Sequence, residues 1–178
     1  PGTQGSVTGT YIILFQLEIP LAAVRLAAEQ CSKAGKTVIL NPAPAQKLDP
    51  QLLKAASFIT PNEHEVKIVF DNQADYTEIL KQNPGKLIVT LGSAGAATAL
   101  ASGEILHIQP VPATVVDTTG AGDTFNGAFA YALSTGHAID KALLFANAAA
   151  AVAIESFGAQ TGMPTLQQVQ AKLQLVAR

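Results

Sequence analysis

Short apolar runs alternate along this sequence with longer stretches of helical periodicity, and this alternation limits the folds open to the chain. Tyr11–Leu17 and Thr37–Leu40 are mostly apolar and have the length of buried strands. A helical pattern lies between them, beginning after Pro20 and ending at Gly35. We therefore predict an α/β fold with a mainly parallel sheet flanked by helices, in which ligands bind beyond the carboxyl ends of the strands.

The same alternation continues through the rest of the chain. Further strands are predicted at Ser57–Thr60 and Leu87–Thr90, and a hairpin is predicted from Ala96–Leu100 and Ile105–Ile108. Further helices are predicted at Pro50–Ala56, Asn62–Phe70, Tyr76–Gln82, Thr124–Ser134, Ile139–Ser156 and Thr165–Ala177.

Composition excludes several classes of protein. The 178 residues are 48% hydrophobic and 13% charged, which favours one folded domain over disorder. The net charge of −2 argues against nucleic-acid binding, and the single cysteine, Cys31, excludes an internal disulfide. No apolar run approaches the roughly 20 residues that a membrane span needs. Residues 1–10 are polar, and we treat them as a leader of uncertain origin in a cytoplasmic protein.

The segment VDTTGAGDTF, at Val116–Phe125, carries the strongest local signal for function. A loop with Gly120 and Gly122 leads directly into a helical pattern. The first amide groups of a helix have no intrahelical acceptors, and together with the helix dipole they form a pocket for anions. Asp123 lies at the mouth of this pocket, where a carboxylate can align an attacking hydroxyl and accept its proton. Phosphoryl transfer fits this pairing of anion pocket and carboxylate.

Asp123 also has a simpler interpretation, because an aspartate at a helix start can serve as a cap and nothing more. Two other nucleotide motifs are excluded here. The sequence contains no GxxxxGK[ST], and the Gly120-x-Gly122 pair is followed by Phe125 where a dinucleotide fingerprint needs glycine.

Three other features are compatible with a nucleotide site, and each has a structural alternative. Thr90–Gly95 follows a predicted strand and is either a nucleotide loop or a plain turn. Asn62 and Glu65 can present an amide and a carboxylate to phosphate and hydrated magnesium, or can form a capping box. The turn at Ala153–Gly162 can offer carbonyl groups to a monovalent cation near Asp117, or can simply end a helix.

Several segments, in this order, closely resemble the ribokinase-like (PfkB) carbohydrate kinase family: NPAPA, TPNEHE, VTLGSAGA, DTTGAGDTFNGAFA and FANAAAAVAIESFGAQTGMPT. The resemblance extends from about Ile12 to Val176, and the combination is far more specific than any one segment. It implies the ribokinase-like three-layer α/β/α fold. It also implies that residues 11–178 are the C-terminal, ATP-binding portion of a kinase domain that lacks the N-terminal strands and lid of the family.

The resemblance implies a role for each candidate residue. Asp123 matches the catalytic base, which also contacts the sugar, and Glu18 matches a glutamate that contacts the sugar hydroxyls. The amide groups of Gly120, Ala121 and Gly122 match the anion hole.

The same resemblance implies the sites for ATP and for two cations. The residues matched to ATP binding are Asn62, Thr90, Leu91, Gly92, Ser93, Ala94, Gly95, Gly122, Asp123 and Asn147. Glu65 matches a glutamate that holds Mg²⁺ through water. The residues matched to the K⁺ site are Asp117, Thr119, Ala153, Ser156, Gly158 and Gly162. Relatives often have serine at the position of Gly162, so one K⁺ ligand differs.

The activity that the resemblance implies is ATP-dependent phosphorylation of ribose at its 5-hydroxyl, giving ribose 5-phosphate, in a full-length enzyme. Two alternatives stay open: another small-sugar or nucleoside kinase of the family, such as a fructokinase, and a non-catalytic nucleotide-binding fragment. The expected partners are a small sugar and ATP, with no nucleic acid and no membrane. We expect a full-length homodimer formed through the lid, and we expect the 178-residue chain alone to be inactive.

Overall fold

The computed structural model describes residues 12–176. The predictions for residues 1–10, and those for Tyr11 and Ala177 as strand and helix ends, lie outside the described residues.

The six strands of the described chain form one parallel and one antiparallel group. Strands β1 (Ile12–Phe15), β2 (Thr37–Leu40) and β3 (Phe58–Ile59) pair in parallel and in chain order. Strands β4 (Ile88–Thr90), β5 (Ala96–Ala99) and β6 (Ile105–Ile108) form an antiparallel meander. Two parallel bridges, Ile59 with Leu87 and Asn62 with Thr90, join β3 to β4. The predicted hairpin is therefore confirmed as β5 and β6.

Seven helices lie in the described chain. They are α1 (Leu21–Lys33), α2 (Pro50–Ala55), α3 (Glu65–Val69), α4 (Tyr76–Gln82), α5 (Ala121–Ser134), α6 (Ile139–Ala153) and α7 (Leu166–Val176).

Three helix ends differ from the sequence prediction by three residues, and other ends shift by less. Helix α5 begins at Ala121 instead of Thr124, because Gly120 takes a left-handed conformation with φ of 78° and turns the chain directly into the helix. Helix α3 begins at Glu65 instead of Asn62, whose side chain accepts hydrogen bonds from the first turn. Helix α6 ends at Ala153, and the carbonyl group of the next residue accepts hydrogen bonds from the loop before α5.

The sheet separates two hydrophobic clusters, as a three-layer α/β/α fold requires. Successive residues of a strand point to opposite faces, so Val38 and Leu40 contact one cluster while Ile39 contacts the other. Helices α1 to α4 cover the first face, and α5 to α7 cover the second. The predicted α/β/α fold is confirmed. Within residues 12–176, none of the helices has the length and apolar character needed to cross a membrane.

Helix α7 is fixed to the second face by a buried apolar residue and by an ion pair. Val169 is buried among residues of α5 and α6. The Lys172 ammonium donates a hydrogen bond of 2.7 Å to Oε1 of Glu155, which also accepts one of 3.2 Å from the backbone amide of Thr114. These bonds, with the Lys172 bond the larger cause, lower the pKa of Glu155 from its ordinary value.

We expect Glu155→Gln to reduce the dependence of stability on pH. Because folding lowers the pKa of Glu155, its stabilising contribution is complete above the pKa of the unfolded chain and is lost as the pH falls through the folded value. Both side chains are partly exposed, so we expect a loss of about 0.5 kcal/mol at neutral pH. Urea unfolding between about pH 7 and pH 3 measures this, with Glu104→Gln as the control. Equal pH slopes for Glu155→Gln and the parent protein would contradict the assignment.

Candidate active site

Polar side chains follow each of the three parallel strands, at the point where the strand ends. Gln16 follows β1, Asn41 follows β2 and Thr60 follows β3. The register pairs the last residue of β1 with the last residue of β2, and Leu40 with Ile59, so these polar residues come next to one another. All three continue the sheet face that α5 covers, and the first turn of α5 lies above them.

A chain of side-chain hydrogen bonds connects these strand ends to Asp123. Nδ2 of the buried Asn41 donates to the backbone carbonyl of Thr60 at 3.3 Å. Nε2 of Gln16 donates to Oδ1 of Asn41 at 3.1 Å and to Oδ1 of Asp123 at 2.5 Å. The carboxylate of Asp123, itself exposed, is therefore tied through Gln16 to the interior of the sheet.

A second branch from Thr60 reaches the backbone of α5. The Thr60 hydroxyl donates to Oδ1 of Asn126 at 2.6 Å, and Nδ2 of Asn126 donates to the carbonyl of Gly122 at 2.9 Å. Thr60 and Asn126 are both buried. The first turn of α5 is thus held by Thr60, the residue that directly follows β3.

The start of α5 presents free amide groups beside Asp123. The amide of Ala121 donates to the carbonyl of Thr118 at 3.2 Å. Within residues 12–176, the amides of Gly120, Gly122 and Asp123 donate to no protein acceptor. Free amides at a helix N-terminus attract anions, and this turn places them next to a carboxylate. Of the anion-hole amides predicted from the sequence, the structure leaves those of Gly120 and Gly122 available and engages that of Ala121.

Asn62 and Glu65 form the capping box that was the structural alternative. Oδ1 of Asn62 accepts from the amides of His64 and Glu65, and Oε2 of Glu65 accepts from the amide of Asn62 at 2.9 Å. Nδ2 of Asn62 and Oε1 of Glu65 make no hydrogen bond to another described residue. The capping role is therefore present, and atoms remain for the predicted contacts with phosphate and hydrated magnesium.

The loop at Thr90–Gly95 combines exposed backbone with a close contact. Gly92, Ser93 and Ala94 form an exposed 3₁₀ turn after β4, whereas Leu91 is buried. Gly95 has φ of 86°, and a Cβ atom there would lie 2.2 Å from the carbonyl oxygen of Ile108. Glycine at position 95 is therefore required by the approach of β6 as well as by the turn.

Asn147 holds α6 against the end of β6. Its Nδ2 donates to the carbonyls of Ile108 and Gln109 at 3.3 and 3.1 Å. Since both amide hydrogens are engaged, its Oδ1 is the atom left for the predicted contact with ATP. Glu18 is exposed just beyond β1, two residues after Gln16.

Asp117 joins the two segments of the candidate K⁺ site. Its Oδ1 accepts from the amide and the hydroxyl of Thr119 at 2.9 and 2.7 Å, and its Oδ2 accepts from the amide of Gly158 at 2.9 Å. The bonds from Thr119, and then the one from Gly158, lower the pKa of Asp117 from its ordinary value.

The turn after α6 brings two carbonyl groups of the candidate K⁺ site together. A Cβ atom at Gly162 would lie 2.6 Å from the oxygen of Ala153 and 3.0 Å from the oxygen of Gly158. The two oxygens therefore converge on Gly162, and a serine there would require the turn to shift. Ser156 is exposed at this turn.

Sequence reasoning missed Gln16, Asn41, Thr60 and Asn126. The first three carry a signal that could have found them, because each is the polar residue that ends an apolar run on one face of the sheet. Asn126 carries no local signal, since nothing near it in the sequence indicates that its side chain hydrogen-bonds to Thr60.

Comparison with known proteins gives the class of this fold and site. Residues 5–166 match the pfkB family of carbohydrate kinases, and the chain belongs to this family. Among curated relatives, the ribokinase of Lactococcus lactis is 46% identical over 97% of this chain and 61% of its own length. The ribokinase of Bacillus subtilis is 45% identical over 89% of this chain and 54% of its own length.

Solved structures agree with this assignment. The ribokinase of Thermotoga maritima has a TM-score of 0.80 and 35% identity, covering 92% of this chain and 56% of that protein. The ribokinase of Arabidopsis thaliana in complex with ribose and ATP has a TM-score of 0.83 and 32% identity, covering 91% of this chain and 55% of that protein. The chain thus spans little more than half the length of these relatives.

We expect Gly95→Ala to destabilise the protein more than Gly92→Ala. Both glycines have positive φ, but a Cβ atom at position 92 meets open space whereas one at position 95 meets backbone. The positive φ should cost about 1 kcal/mol at position 92. At position 95, where ψ is −124° and lies outside the left-handed helical region, the greater backbone strain and the clash should together add about 1–3 kcal/mol. Thermal and urea unfolding measure the difference. Equal losses in the two variants would show that the approach of β6 does not constrain this loop.

Proposed function

We propose that the complete protein transfers the γ-phosphoryl group of ATP to the 5-hydroxyl of ribose, giving ribose 5-phosphate and ADP. The observation that carries the proposal is the carboxylate of Asp123 beside the free amides of the α5 N-terminus, held by hydrogen bonds to the ends of the parallel strands. Support comes from curated relatives named ribokinase at 45–46% identity and from a structural neighbour that binds ribose and ATP.

In the proposed reaction, Asp123 accepts the proton of the sugar hydroxyl as that oxygen attacks the γ-phosphorus. A new O–P bond forms, the bond between the γ-phosphorus and the β,γ-bridging oxygen breaks, and ADP leaves. The amides of Gly120 and Gly122, with the dipole of α5, stabilise the negative charge of the transferring group. These groups are fixed before the substrate arrives, so little reorganisation is needed.

Nucleotide binding in this proposal uses the exposed turn after β4. The backbone of Gly92, Ser93 and Ala94 can contact ATP, while Gly95 and Leu91 fix the shape of the turn. Oδ1 of Asn147 and Nδ2 of Asn62 are the side-chain atoms left for it. Thr90 is partly buried at the start of the loop.

Two cations belong to the proposal, and the residues present fit both. Glu65 keeps one carboxylate oxygen for the water shell of Mg²⁺, which would neutralise charge on the phosphates. The converging carbonyls of Ala153 and Gly158, with Asp117 beside them, would hold K⁺. Gly162 supplies no side-chain oxygen to that site, so its ligands would be mainly backbone carbonyls.

A second candidate function is phosphorylation of another small sugar or of a nucleoside. A deoxyribokinase of Salmonella typhi is 34% identical over 92% of this chain, and among the described residues only Glu18 and Asp123 are predicted to contact the sugar. A panel of ribose, deoxyribose, fructose and nucleosides, assayed as acceptor-dependent ADP release by the complete protein, separates these substrates. ATP binding without release for any acceptor would favour the non-catalytic alternative. The homodimer and the cytoplasmic location stay predictions.

We expect Asp123→Asn to lower kcat by about 10²–10⁴-fold, because an amide cannot accept the hydroxyl proton. The KM for ATP should stay within about threefold, since the amides of the anion hole are unchanged. The matched control is Asp140→Asn, because Asp140 also lies in the first turn of a helix. Steady-state kinetics with ribose measures both variants, and a kcat for Asp123→Asn close to that of the control would refute the assignment of the base.

We expect Glu65→Gln to raise the Mg²⁺ concentration needed for half-maximal activity. The amide can still accept the hydrogen bond from Asn62, so the capping box survives while the charge that attracts the hydrated ion is lost. Glu63→Gln is the control, because Glu63 is an exposed neighbour in the same turn. A Mg²⁺ titration of activity provides the measurement. An unchanged titration would leave Glu65 with the capping role alone.

A further inference from the structure

The direction of the hydrogen bonds that run from Thr60 through Asn41 and Gln16 to Asp123 follows from one carbonyl group. The backbone oxygen of Thr60 can only accept, so the side chain of Asn41 must present its Nδ2 to it. Oδ1 of Asn41 then faces Gln16, which must present its own amide nitrogen. Chemistry thus fixes the orientation of both amides, since either flip would bring two acceptors or two donors together.

Both amide hydrogens of Gln16 are used in this arrangement. One goes to Asn41 and the other to Oδ1 of Asp123, at 3.1 and 2.5 Å. The short contact is the charge-assisted one, in which an N–H group donates to a carboxylate. Gln16 is partly buried between the exposed carboxylate of Asp123 and the buried amide of Asn41. Its two hydrogen bonds therefore hold the side chain of Asp123 in a fixed place relative to the sheet.

We propose that Gln16 is a positioning residue that holds the Asp123 carboxylate for proton transfer. The bond to Oδ1 fixes the rotation of the carboxylate and leaves Oδ2 for the acceptor hydroxyl. The inference rests on the proposed function, because it assigns Gln16 a role in the step that Asp123 carries out.

The backbone of Asp123 is fixed by the other branch from the same residue. Nδ2 of Asn126 must face the carbonyl of Gly122, so its Oδ1 faces the Thr60 hydroxyl, which therefore donates. Asp123 follows Gly122 directly. The base is thus fixed at two points, through its side chain by Gln16 and through its helix turn by Asn126, and both lines of hydrogen bonds end at Thr60.

A pair of variants separates positioning from packing. Gln16→Leu removes the donor, and Gln16→Glu keeps the size and shape but replaces the donor with a negatively charged acceptor. We expect Gln16→Leu to lower kcat by about 10–100-fold, since small misplacements of reacting groups have effects of this order. We expect Gln16→Glu to lower kcat at least as much. In both variants the KM for ATP should stay near the parent value. The melting temperature should fall modestly, because Oδ1 of the buried Asn41 loses its donor, so kcat is compared at a temperature well below unfolding.

Gln82→Leu, at an exposed position of α4, is the matched control and should change neither kcat nor the KM for ATP. The double variant Gln16→Leu/Asp123→Asn adds the decisive comparison. Because Gln16 acts through Asp123, its loss should have little further effect once Asp123 is asparagine. If Gln16→Glu keeps kcat within threefold of the parent, or if the two single effects multiply in the double variant, the inference is overturned.

Crystal structures of the complete parent protein and of Gln16→Leu test the inference independently of activity. We expect the Asp123 carboxylate to contact Gln16 in the parent and to turn to another rotamer in the variant. An unchanged carboxylate overturns the inference, even if the parent phosphorylates ribose. If the parent releases no ADP with any sugar, the proposed function fails, and the rotamer of Asp123 alone decides whether Gln16 positions it.

Discussion

Thr60 carries the two hydrogen bonds on which the geometry of the candidate site depends. Its carbonyl accepts from Asn41, and its hydroxyl donates to Asn126. Thr60 is 1% exposed, so both bonds form where water does not compete and where an unpaired group would be costly. Thr60, buried directly after β3 with its carbonyl and hydroxyl groups hydrogen-bonded, thus connects the exposed carboxylate of Asp123 to the core of the protein through Asn41 and Gln16.

This arrangement uses a general property of parallel sheets. Adjacent parallel strands present their carboxyl ends at one edge, and a helix that begins above that edge points its free amides at the same place. Here α5 packs on the sheet face that Gln16 continues, so Gln16 and Asp123, which are far apart in sequence, meet at this edge. The antiparallel strands that follow supply a different part of the candidate site, the turn at Gly92–Ala94 that is predicted to bind nucleotide.

Most of the fold could be predicted from sequence because apolar periodicity records which face of an element is buried. Strand β2 and helix α4 have the predicted bounds, whereas α5 begins earlier because a glycine conformation, and not periodicity, determines its start. The glycine turn and Asp123 were predictable from their local pattern. Gln16 was recognisable only as a polar residue at a strand end. Its partner, like that of Asn126, was not predictable, because the two partners lie 107 and 66 residues away in sequence.

The dependence of the site on strand register has a consequence for folding. Slipping β2 by one residue would turn Asn41 to the opposite face of the sheet, away from Gln16, while leaving an apolar strand of similar composition in place. A collapsed molecule with such a mispaired sheet could bury most of its hydrophobic surface and still have no aligned carboxylate. If the proposed function holds, enzymatic turnover would therefore report correct strand pairing, a property that measurements of compactness or helix content alone do not reveal.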